Sequence, residues 1–303
     1  MMKVSLICTV LNEGDTIEDL LKSILKQTRR PDEFVIVDGG SKDKTQEIIK
    51  EYAKKHKWIR LIISEGANIA EGRNIAIENS RFETIACIDG GCVAKEDWLE
   101  KLIKPLEKCD VSFGVYVPLQ SDGKQKYFGM VLCKGPSEID PKTFLPSARN
   151  IAFKKECWKK VGGFPENVYT GEDTLFDLKL REAGFKFCFV PDAIVYWRMR
   201  ESWKGFWKQM YNYGVGDRKA GNLWKMKKNL LLVLSFPFAL FLWLTSLFFN
   251  LQLFVLLSFL LFFYFFKEGI KIAVKTGELD ALFYGTLAFF VKRTAYILGA
   301  LMG

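Results

Sequence analysis

The chain has 303 residues, a formal net charge of +9 and 49% hydrophobic residues. Its seven cysteines are odd in number and form no close Cys-x-x-Cys pair, which favours reduced, mostly buried thiols over a disulfide framework. The basic excess is concentrated in residues 198–228, directly before a long apolar segment. This position fits a membrane surface with anionic headgroups better than a nucleic-acid interface.

The composition changes abruptly near residue 229, because residues 229–266 contain no Asp, Glu, Lys or Arg. About 20 apolar residues are enough to cross the hydrocarbon core of a bilayer. We therefore expect one folded, cytoplasmic domain at 1–228 and a membrane region at 229–303. Within that region we expect spans at about 229–249 and 251–268 and an amphipathic or interfacial helix at about 279–302.

The topology of the expected spans follows from the charges around them. Lysines and arginines lie on both outer flanks, which predicts a transmembrane hairpin with both ends cytoplasmic. The first apolar run of the chain, Val4 to Leu11, is too short for a secretory signal, which favours a cytoplasmic location for the domain at 1–228. The alternative for the apolar region is a buried helix pair in a soluble oligomer, and the lack of polar helix faces argues against it.

The N-terminal half alternates strand-like apolar runs with amphipathic stretches. In chain order we expect strands at 4–10, 34–37, 59–63 and 84–88, separated by helices at 17–25, 45–53 and 69–77. This alternation predicts an α/β fold with a mostly parallel sheet flanked by helices, in which ligands bind beyond the carboxyl ends of the strands. From about 114 to 147 prolines and glycines interrupt the pattern. It resumes with a strand at 151–153, helices at 155–161 and 173–183, and a strand at 186–196 broken by Pro191.

Polar residues follow the first two expected strands. Asn12 and Glu13 come after the first, and Asp38-Gly39-Gly40-Ser41 comes after the second. Glycines let a backbone approach a ligand closely, and Asp38 can accept a hydrogen bond from a ribose or a base. Turn-forming glycines and a capping Ser or Asp explain the same residues equally well. No Gly-x-Gly-x-x-Gly and no phosphate-loop lysine occur, which argues against a dehydrogenase or a nucleoside triphosphatase.

Carboxylates mark two further turns. Asp89-Gly90-Gly91 places one carboxylate at the ligand-binding edge, where a hard oxygen ligand suits Mg²⁺ or Mn²⁺, although it also fits an aspartate that begins a Gly-Gly turn. Glu172 and Asp173 are adjacent at an expected helix start, where one of them can act as a general base. A capping box begun by Thr170 is compatible with that role.

Six motifs together resemble family 2 glycosyltransferases over roughly residues 3–200. They stand in the order and approximate spacing of that family: Thr9 to Glu13, Asp38 to Ser41, Asp89 to Cys92, Ser147 to Asn150, Gly162 to Phe164, and Gly171 to Asp173. The resemblance implies a GT-A fold and inverting transfer from a nucleotide-diphosphate sugar.

The resemblance also implies roles for individual residues. Asp173 is expected to be the catalytic base, with Glu172 beside it contacting the acceptor. Nucleotide-sugar binding is expected from Thr9, Asn12, Glu13, Asp38, Arg73, Asp89 and Arg149. A divalent cation, Mg²⁺ or Mn²⁺, is expected at Asp89.

Two departures from the family pattern matter. The usual Asp-x-Asp is Asp89-Gly90-Gly91 here, so the second carboxylate is missing and metal dependence is in question. Processive synthases carry Gln-x-x-Arg-Trp, whereas the nearest match here, from Gln209 to Tyr213, differs at both discriminating positions. This predicts a non-processive, membrane-anchored enzyme.

The acceptor follows from the expected membrane region. We expect a hydroxyl of a lipid-linked glycan or glycolipid. The alternatives are a polyprenyl-phosphate glycosyltransferase and a catalytically inactive membrane scaffold of the same fold.

Overall fold

The computed structural model describes residues 2–119, 123–168 and 170–303. The chain forms two compact units, of which the first comprises Met1–Leu119 and Lys134–Arg198 and the second comprises Gln120–Cys133 and Met199–Gly303. The sequence places its boundary at residue 228, and the assignment of the two regions to catalysis and to the membrane stays a prediction.

The described strands belong to the first unit, and the helices are shared between the units. The strands are β1 (Val4–Val10), β2 (Glu33–Asp38), β3 (Ile59–Ile63), β4 (Thr84–Cys87), β5 (Cys92–Ala94), β6 (Val111–Pro118), β7 (Ile151–Lys154) and β8 (Phe187–Trp197). The helices are α1 (Ile17–Leu25), α2 (Thr45–Lys55), α3 (Ile69–Glu78), α4 (Trp98–Ile103), α5 (Gln125–Leu132), α6 (Lys155–Val161), α7 (Glu172–Glu182), α8 (Trp203–Lys219), α9 (Asn222–Lys225), α10 (Lys227–Phe249), α11 (Leu251–Thr276) and α12 (Ala281–Met302).

The strands form one mixed sheet in the order β3-β2-β1-β4-β7-β6-β8-β5. The half formed by β3, β2, β1 and β4 is parallel, as the βα alternation predicts. Beyond β4 the direction changes, because β7 pairs antiparallel with both β4 and β6, and β5 pairs antiparallel with β8. The carboxyl ends of β1, β2 and β4 therefore meet at one edge of the sheet.

Helices cover both faces of the sheet because β1 and β2 are apolar on both sides. Leu6 and Cys8 of β1 face one apolar core and Ile7 faces the other. In α1, residues at positions i, i+3, i+4 and i+7 are buried, which is the pattern of a helix packed on a sheet. Each buried Leu or Ile contributes about 1.5–3 kcal/mol relative to an exposed position.

Helix α3 begins with a complete capping box. The Asn68 side chain accepts hydrogen bonds from the backbone N–H groups of Ala70 and Glu71, and the Glu71 carboxylate accepts from the backbone of Asn68. The helix approaches β1 closely, since a Cβ added to Gly72 would lie 2.8 Å from Cγ2 of Thr9. The capping box thus fixes where α3 begins, and Gly72 allows α3 to pack closely against β1.

Strand β8 continues through Pro191, where the sequence predicts a break. The parallel β6–β8 pair shifts register between Phe113 and Val115, so that Pro191 and Asp192 lie exposed in a bulge. Proline is tolerated at bulges because no ladder hydrogen bond is required there. The expected loss of regular structure from residue 114 is also partly wrong, since β6 runs to Pro118.

The second unit contains α5 and α8–α12. Helices α10 and α11 are long and apolar enough to cross a membrane. Only 17% of the most apolar stretch of α10 and 11% of that of α11 are buried in the structure. This exposure distinguishes them from the core helices of a soluble domain and indicates membrane association.

Helix α12 packs against α8 and α11. Its contact with α8 is a backbone approach: a Cβ on Gly214 would lie 2.1 Å from the carbonyl oxygen of Tyr296, and one on Gly299 would lie 2.0 Å from that of Tyr211. The Tyr296 hydroxyl donates to Oδ2 of Asp217 at 2.7 Å. Whether α12 lies at a membrane interface stays a prediction.

Candidate active site

The loops after β1 and β2 hold each other in place. The Asn12 N–H donates to Oγ of Ser41 at 2.8 Å, and the Lys42 N–H donates to Oδ1 of Asn12 at 2.9 Å. The Glu13 N–H donates to Oγ1 of Thr45 at 2.8 Å. Asn12 has a left-handed backbone with φ of 54°, a conformation that Asn tolerates better than most residues. In the structure, Asn12 therefore stabilises a turn at the ligand-binding edge.

Thr9 and Glu13 lie on either side of this turn. Thr9 is the penultimate residue of β1 and packs under α3, as described above. The Glu13 side chain accepts a hydrogen bond from the Thr16 hydroxyl and lies against the turn after β4, since a Cβ on Gly90 would be 3.2 Å from Cγ of Glu13. Both are at the predicted edge.

Asp38 ends β2 and is fully buried. Its Oδ1 accepts hydrogen bonds from the N–H groups of Gly40 and Ser41 and from Nε2 of Gln46, at 2.8–2.9 Å. Its Oδ2 is also buried and has no hydrogen-bond partner among the described residues. A buried carboxylate oxygen without a partner is costly, and a ligand N–H or O–H would satisfy it.

Arg73 joins two carboxylates that are far apart in sequence. Its Nη1 lies 2.6 Å from Oε1 of Glu172 and its Nη2 lies 3.0 Å from Oδ1 of Asp89. Only 4% of the Arg73 side chain is exposed. Burial alone lowers the pKa of Arg73, but the carboxylates of Asp89, Glu172 and Asp173 outweigh it and raise the pKa above its ordinary value. These charge-assisted bonds tie α3 to the turn after β4 and to the start of α7.

Arg149 reaches the other oxygen of Asp89. Its Nε lies 3.5 Å from Oδ2 of Asp89 and donates to Oγ of Ser147 at 3.0 Å. Its guanidinium stacks on Trp197, with Cζ 3.7 Å from the ring centroid, and lies 5.1 Å from the ring of Tyr116. A stacked and hydrogen-bonded guanidinium is a fixed positive charge. Trp197 therefore acts on the site by orienting Arg149.

Asp173 stands in the first turn of α7. Its Oδ2 accepts from the Ser147 hydroxyl at 2.9 Å and its Oδ1 accepts from the Thr174 N–H at 2.8 Å. The preceding Gly171 has φ of +83°, which lets the chain turn sharply into the helix. Because Ser147 also binds Arg149, a ring of side chains closes. We call it the carboxylate–arginine ring, and its members are Asp89, Arg73, Glu172, Asp173, Ser147 and Arg149.

Glu172 points into the protein toward Arg73. Burial raises the pKa of its carboxyl to about 7, the negative charge of Asp173 adds to the rise, and Arg73 opposes it. Only 6% of the side chain is exposed. The structure gives Glu172 a role in positioning Arg73, and its expected contact with the acceptor stays a prediction.

The sequence assigns no role to two residues near the site, Ser147 and Asp177. Ser147 lies in the quoted motif before β7, but only its position between Arg149 and Asp173 gives it a role. Asp177 follows Asp173 by one helical turn and is buried, and burial raises its pKa well above the ordinary value, with the charge of Asp173 as the next cause. The i, i+4 spacing was the signal for Asp177.

The fold also orients the turn that carries Ser147 and Arg149. Asn150, buried directly after them, donates from Nδ2 to the carbonyl oxygens of Val115 and Ala193 and accepts from Nε1 of Trp98. These bonds fasten the turn to β6 and β8. The ring is therefore supported by buried structure.

The residues at Asp89 do not make a good cation site. Each oxygen of Asp89 faces an arginine, and the position of a second carboxylate is Gly91. Within the described ranges, no group of three or more His, Cys, Asp or Glu side chains is arranged to hold a metal ion. A divalent cation normally takes several oxygen ligands, so this donor set does not fit one.

Family models cover most of the chain. The model described as "Glycosyl transferase family 2" matches residues 5–155, and the one described as "Glycosyl transferase family group 2" matches residues 137–291. The chain belongs to glycosyltransferase family 2. This confirms the resemblance seen in the sequence motifs.

Curated relatives of this family 2 chain are glycosyltransferases. Glycosyltransferase AglE of Haloferax volcanii is 26% identical over 63% of the chain and 65% of the relative. Poly-beta-1,6-N-acetyl-D-glucosamine synthase of Staphylococcus epidermidis is 26% identical over 77% of the chain and 60% of the relative. The chain thus spans less than two thirds of the length of either relative.

Solved structures show that the family 2 chain has the GT-A fold. The mannosyltransferase PcManGT from Pyrobaculum calidifontis, in complex with GDP-Man and Mn²⁺, has a TM-score of 0.66 at 19% identity and covers 96% of this chain and 87% of its own. TarS 1-349 from S. aureus, in complex with UDP, has a TM-score of 0.56 at 20% identity. The match covers 99% of this chain and 90% of the TarS chain. The predicted fold class is confirmed.

Proposed function

We propose that the chain is an inverting glycosyltransferase that moves a sugar from a nucleotide-diphosphate sugar to a hydroxyl of a membrane-associated acceptor. The carboxylate–arginine ring carries this proposal. In this ring the Ser147 hydroxyl bridges Asp173, a carboxylate that can accept a proton, and Arg149. Both residues lie at the ligand-binding edge of a GT-A sheet. A proton acceptor next to a fixed positive charge is what displacement of an anionic leaving group requires.

The nucleotide part of the donor binds at the ends of β1 and β2 in this proposal. The unpartnered Oδ2 of Asp38 accepts a hydrogen bond from the base or the ribose. Thr9, Asn12 and Glu13 shape the adjoining loop. The diphosphate then lies beside Asp89 and Arg149, at the carboxyl end of β4.

Transfer proceeds by a single displacement. The acceptor oxygen attacks the anomeric carbon while its proton passes to the Asp173 carboxylate. The bond between the anomeric carbon and the diphosphate oxygen breaks, and its electron pair leaves with the diphosphate. Attack opposite the leaving group inverts the anomeric configuration. The bonds from Ser147 and Thr174 hold the base in position, which lowers the entropic cost of the step.

The expected divalent cation has no suitable ligand set at Asp89, so no step of this mechanism uses one. The solved mannosyltransferase neighbour contains Mn²⁺, and that ion belongs to that protein. The chelator arm of the experiment below tests metal dependence in this chain.

The acceptor is proposed to be a lipid-linked glycan or a glycolipid. Helices α10 and α11 would form a multi-pass hairpin with the catalytic unit on the cytoplasmic side, and such an anchor keeps the site near a membrane-bound substrate. An oriented base is needed for a sugar hydroxyl, whereas a polyprenyl phosphate is already an anionic nucleophile. The intact ring around Asp173 likewise supports catalysis over an inactive scaffold. One sugar is added per encounter.

The test is turnover of the detergent-purified full chain with a panel of nucleotide-diphosphate sugars, with and without chelator. Asp173→Asn is compared with Asp192→Asn, which changes an exposed carboxylate of the same unit. Selective turnover that is lost only in Asp173→Asn supports the proposal. Donor binding with no transfer or hydrolysis by the wild type would favour the inactive scaffold.

A further inference from the structure

Charge on the leaving group is the main electrostatic problem of this reaction. A nucleoside diphosphate gains negative charge as the bond to the sugar breaks, and catalysis requires a positive group fixed in advance at that place. Either a divalent cation or an arginine can supply the charge. The residues around Asp89 indicate whether a cation or an arginine supplies the positive charge here.

Asp89 is engaged as an ion-pair partner on both oxygens. Arg73 lies 3.0 Å from Oδ1, and Arg149 lies 3.5 Å from Oδ2. A cation bound to Asp89 would have to displace or face these two guanidinium groups. It would do so without the help of a second carboxylate, because that position is Gly91.

The glycine at position 91 is not required by the fold. A Cβ added there would meet only Oε2 of Glu13, at 3.8 Å, which is an ordinary van der Waals distance. Gly91 is also not among the glycines with a left-handed backbone. A Cβ at position 91 would therefore meet no clash, so the backbone does not require a glycine in place of the second carboxylate.

Arg149 is held as a preformed anion-binding group. Its Nε is fixed by Ser147 and Asp89, one guanidinium face lies on Trp197, and only 12% of the side chain is exposed. Little side-chain entropy remains to be lost when an anion binds. A planar guanidinium also matches the geometry of phosphate oxygens.

We propose that Arg149, and not a resident divalent cation, neutralises the diphosphate leaving group of this enzyme. The proposal rests on the function proposed above. As the bond to the anomeric carbon breaks, the guanidinium donates hydrogen bonds to the diphosphate oxygen that receives the electron pair. Arg73 holds Asp89, and Asp89 in turn keeps Arg149 in place, so both are positioning residues.

The experiment measures binding and turnover separately on the detergent-purified full chain. UDP and GDP are the binding probes in calorimetry, each with EDTA and with Mn²⁺, and transfer is measured under the same conditions. We expect the affinity and kcat/KM of the wild type to change by less than about 3-fold between EDTA and Mn²⁺. Arg149→Ala should lower the affinity for the bound nucleotide at least about 10-fold and kcat/KM about 100- to 1,000-fold.

Two variants and one gain-of-function change complete the test. Arg149→Lys keeps the charge but not the planar fork, so it should recover only part of kcat/KM and show that the loss is not misfolding. Arg30→Ala removes an exposed arginine just before β2 and should match the wild type. Gly91→Asp should acquire Mn²⁺ binding, measured by paramagnetic broadening of water protons, that the wild type lacks.

The possible failures are distinguishable. Turnover that EDTA abolishes in the wild type, or a 10-fold gain in UDP or GDP affinity with Mn²⁺, overturns the role of Arg149 and leaves the glycosyltransferase proposal standing. Unchanged nucleotide affinity and turnover in Arg149→Ala would also overturn the role of Arg149 and leave the glycosyltransferase proposal standing. A folded wild type that neither binds a nucleotide nor turns over a donor overturns both proposals.

Discussion

Replacing Arg73 by methionine removes the positive member of a buried ion pair but keeps a similar apolar volume. Arg73 and Glu172 are only 4% and 6% exposed and their charged atoms are 2.6 Å apart. Breaking a buried pair by removing one partner costs about 3–5 kcal/mol, because the remaining charge is left without compensation. In a unit of this size the loss corresponds to a fall in melting temperature of about 6–20 °C.

The size of the loss should depend on what Glu172 can do in response. Glu172 can take up a proton, so Arg73→Met should be less destabilised at pH 5.5 than at pH 8. The double variant Arg73→Met/Glu172→Gln removes both buried charges of this pair. Asp89 also loses a partner, but its side chain is 23% exposed, so the double variant should recover most of the lost stability. The recovery measures the coupling between the two residues in a double-mutant cycle.

The assay is thermal unfolding of the detergent-solubilised chain, followed by tryptophan fluorescence at both pH values. Arg30→Met serves as the control, since Arg30 is exposed and lies at the opposite end of β2 from Asp38. A fall of less than about 2 °C in Arg73→Met at pH 8, or no recovery in the double variant, would refute the reasoning that the pair holds α3 to α7.

Three further predictions concern stability and topology. Folding raises the pKa of Glu172 from 4.5 to about 7, so the folded chain binds a proton that the unfolded chain releases. The wild type should therefore lose stability relative to Glu172→Gln as the pH rises from about 4.5 to about 7. Melting curves recorded across that pH range measure this loss. Gly114→Ala should cost about 1–3 kcal/mol or more in thermal unfolding, because its Cβ would lie 2.1 Å from the carbonyl oxygen of Ala193, whereas Gly91→Ala should stay within about 0.5 kcal/mol of the wild type. A glycosylation tag inserted at Asn250 should be modified in microsomes, since the α10–α11 hairpin would place it on the lumenal side, and a tag that stays unmodified contradicts that topology.

The parallel half of the fold could be predicted from sequence because its signals are local. The apolar runs that form β1–β4 and the 3.6-residue periodicity of α1 each identify an element without reference to the rest of the chain. The antiparallel half could not be predicted in the same way. The pairing of β7 with β4 and β6 depends on long-range contacts, and β8 passes through Pro191 only because the register shift opposite Gly114 creates a bulge.

For the candidate site, sequence motifs identified most of the residues but not their connections. Asp89, Arg149 and Asp173 were each expected at the site from a separate motif. That Ser147 joins two of them, and that Arg73 pairs with the buried Glu172, depends on side-chain geometry. Spacing along the chain carries no information on such contacts, because the paired residues are up to 99 positions apart.

The most direct test of the central claim is single-turnover sugar transfer by Asp173→Asn, measured together with its affinity for the nucleoside diphosphate. If Asp173 is the base, the transfer rate should fall about 100- to 10,000-fold while nucleotide affinity stays within about 3-fold of the wild type. Transfer at the wild-type rate by Asp173→Asn would contradict the account.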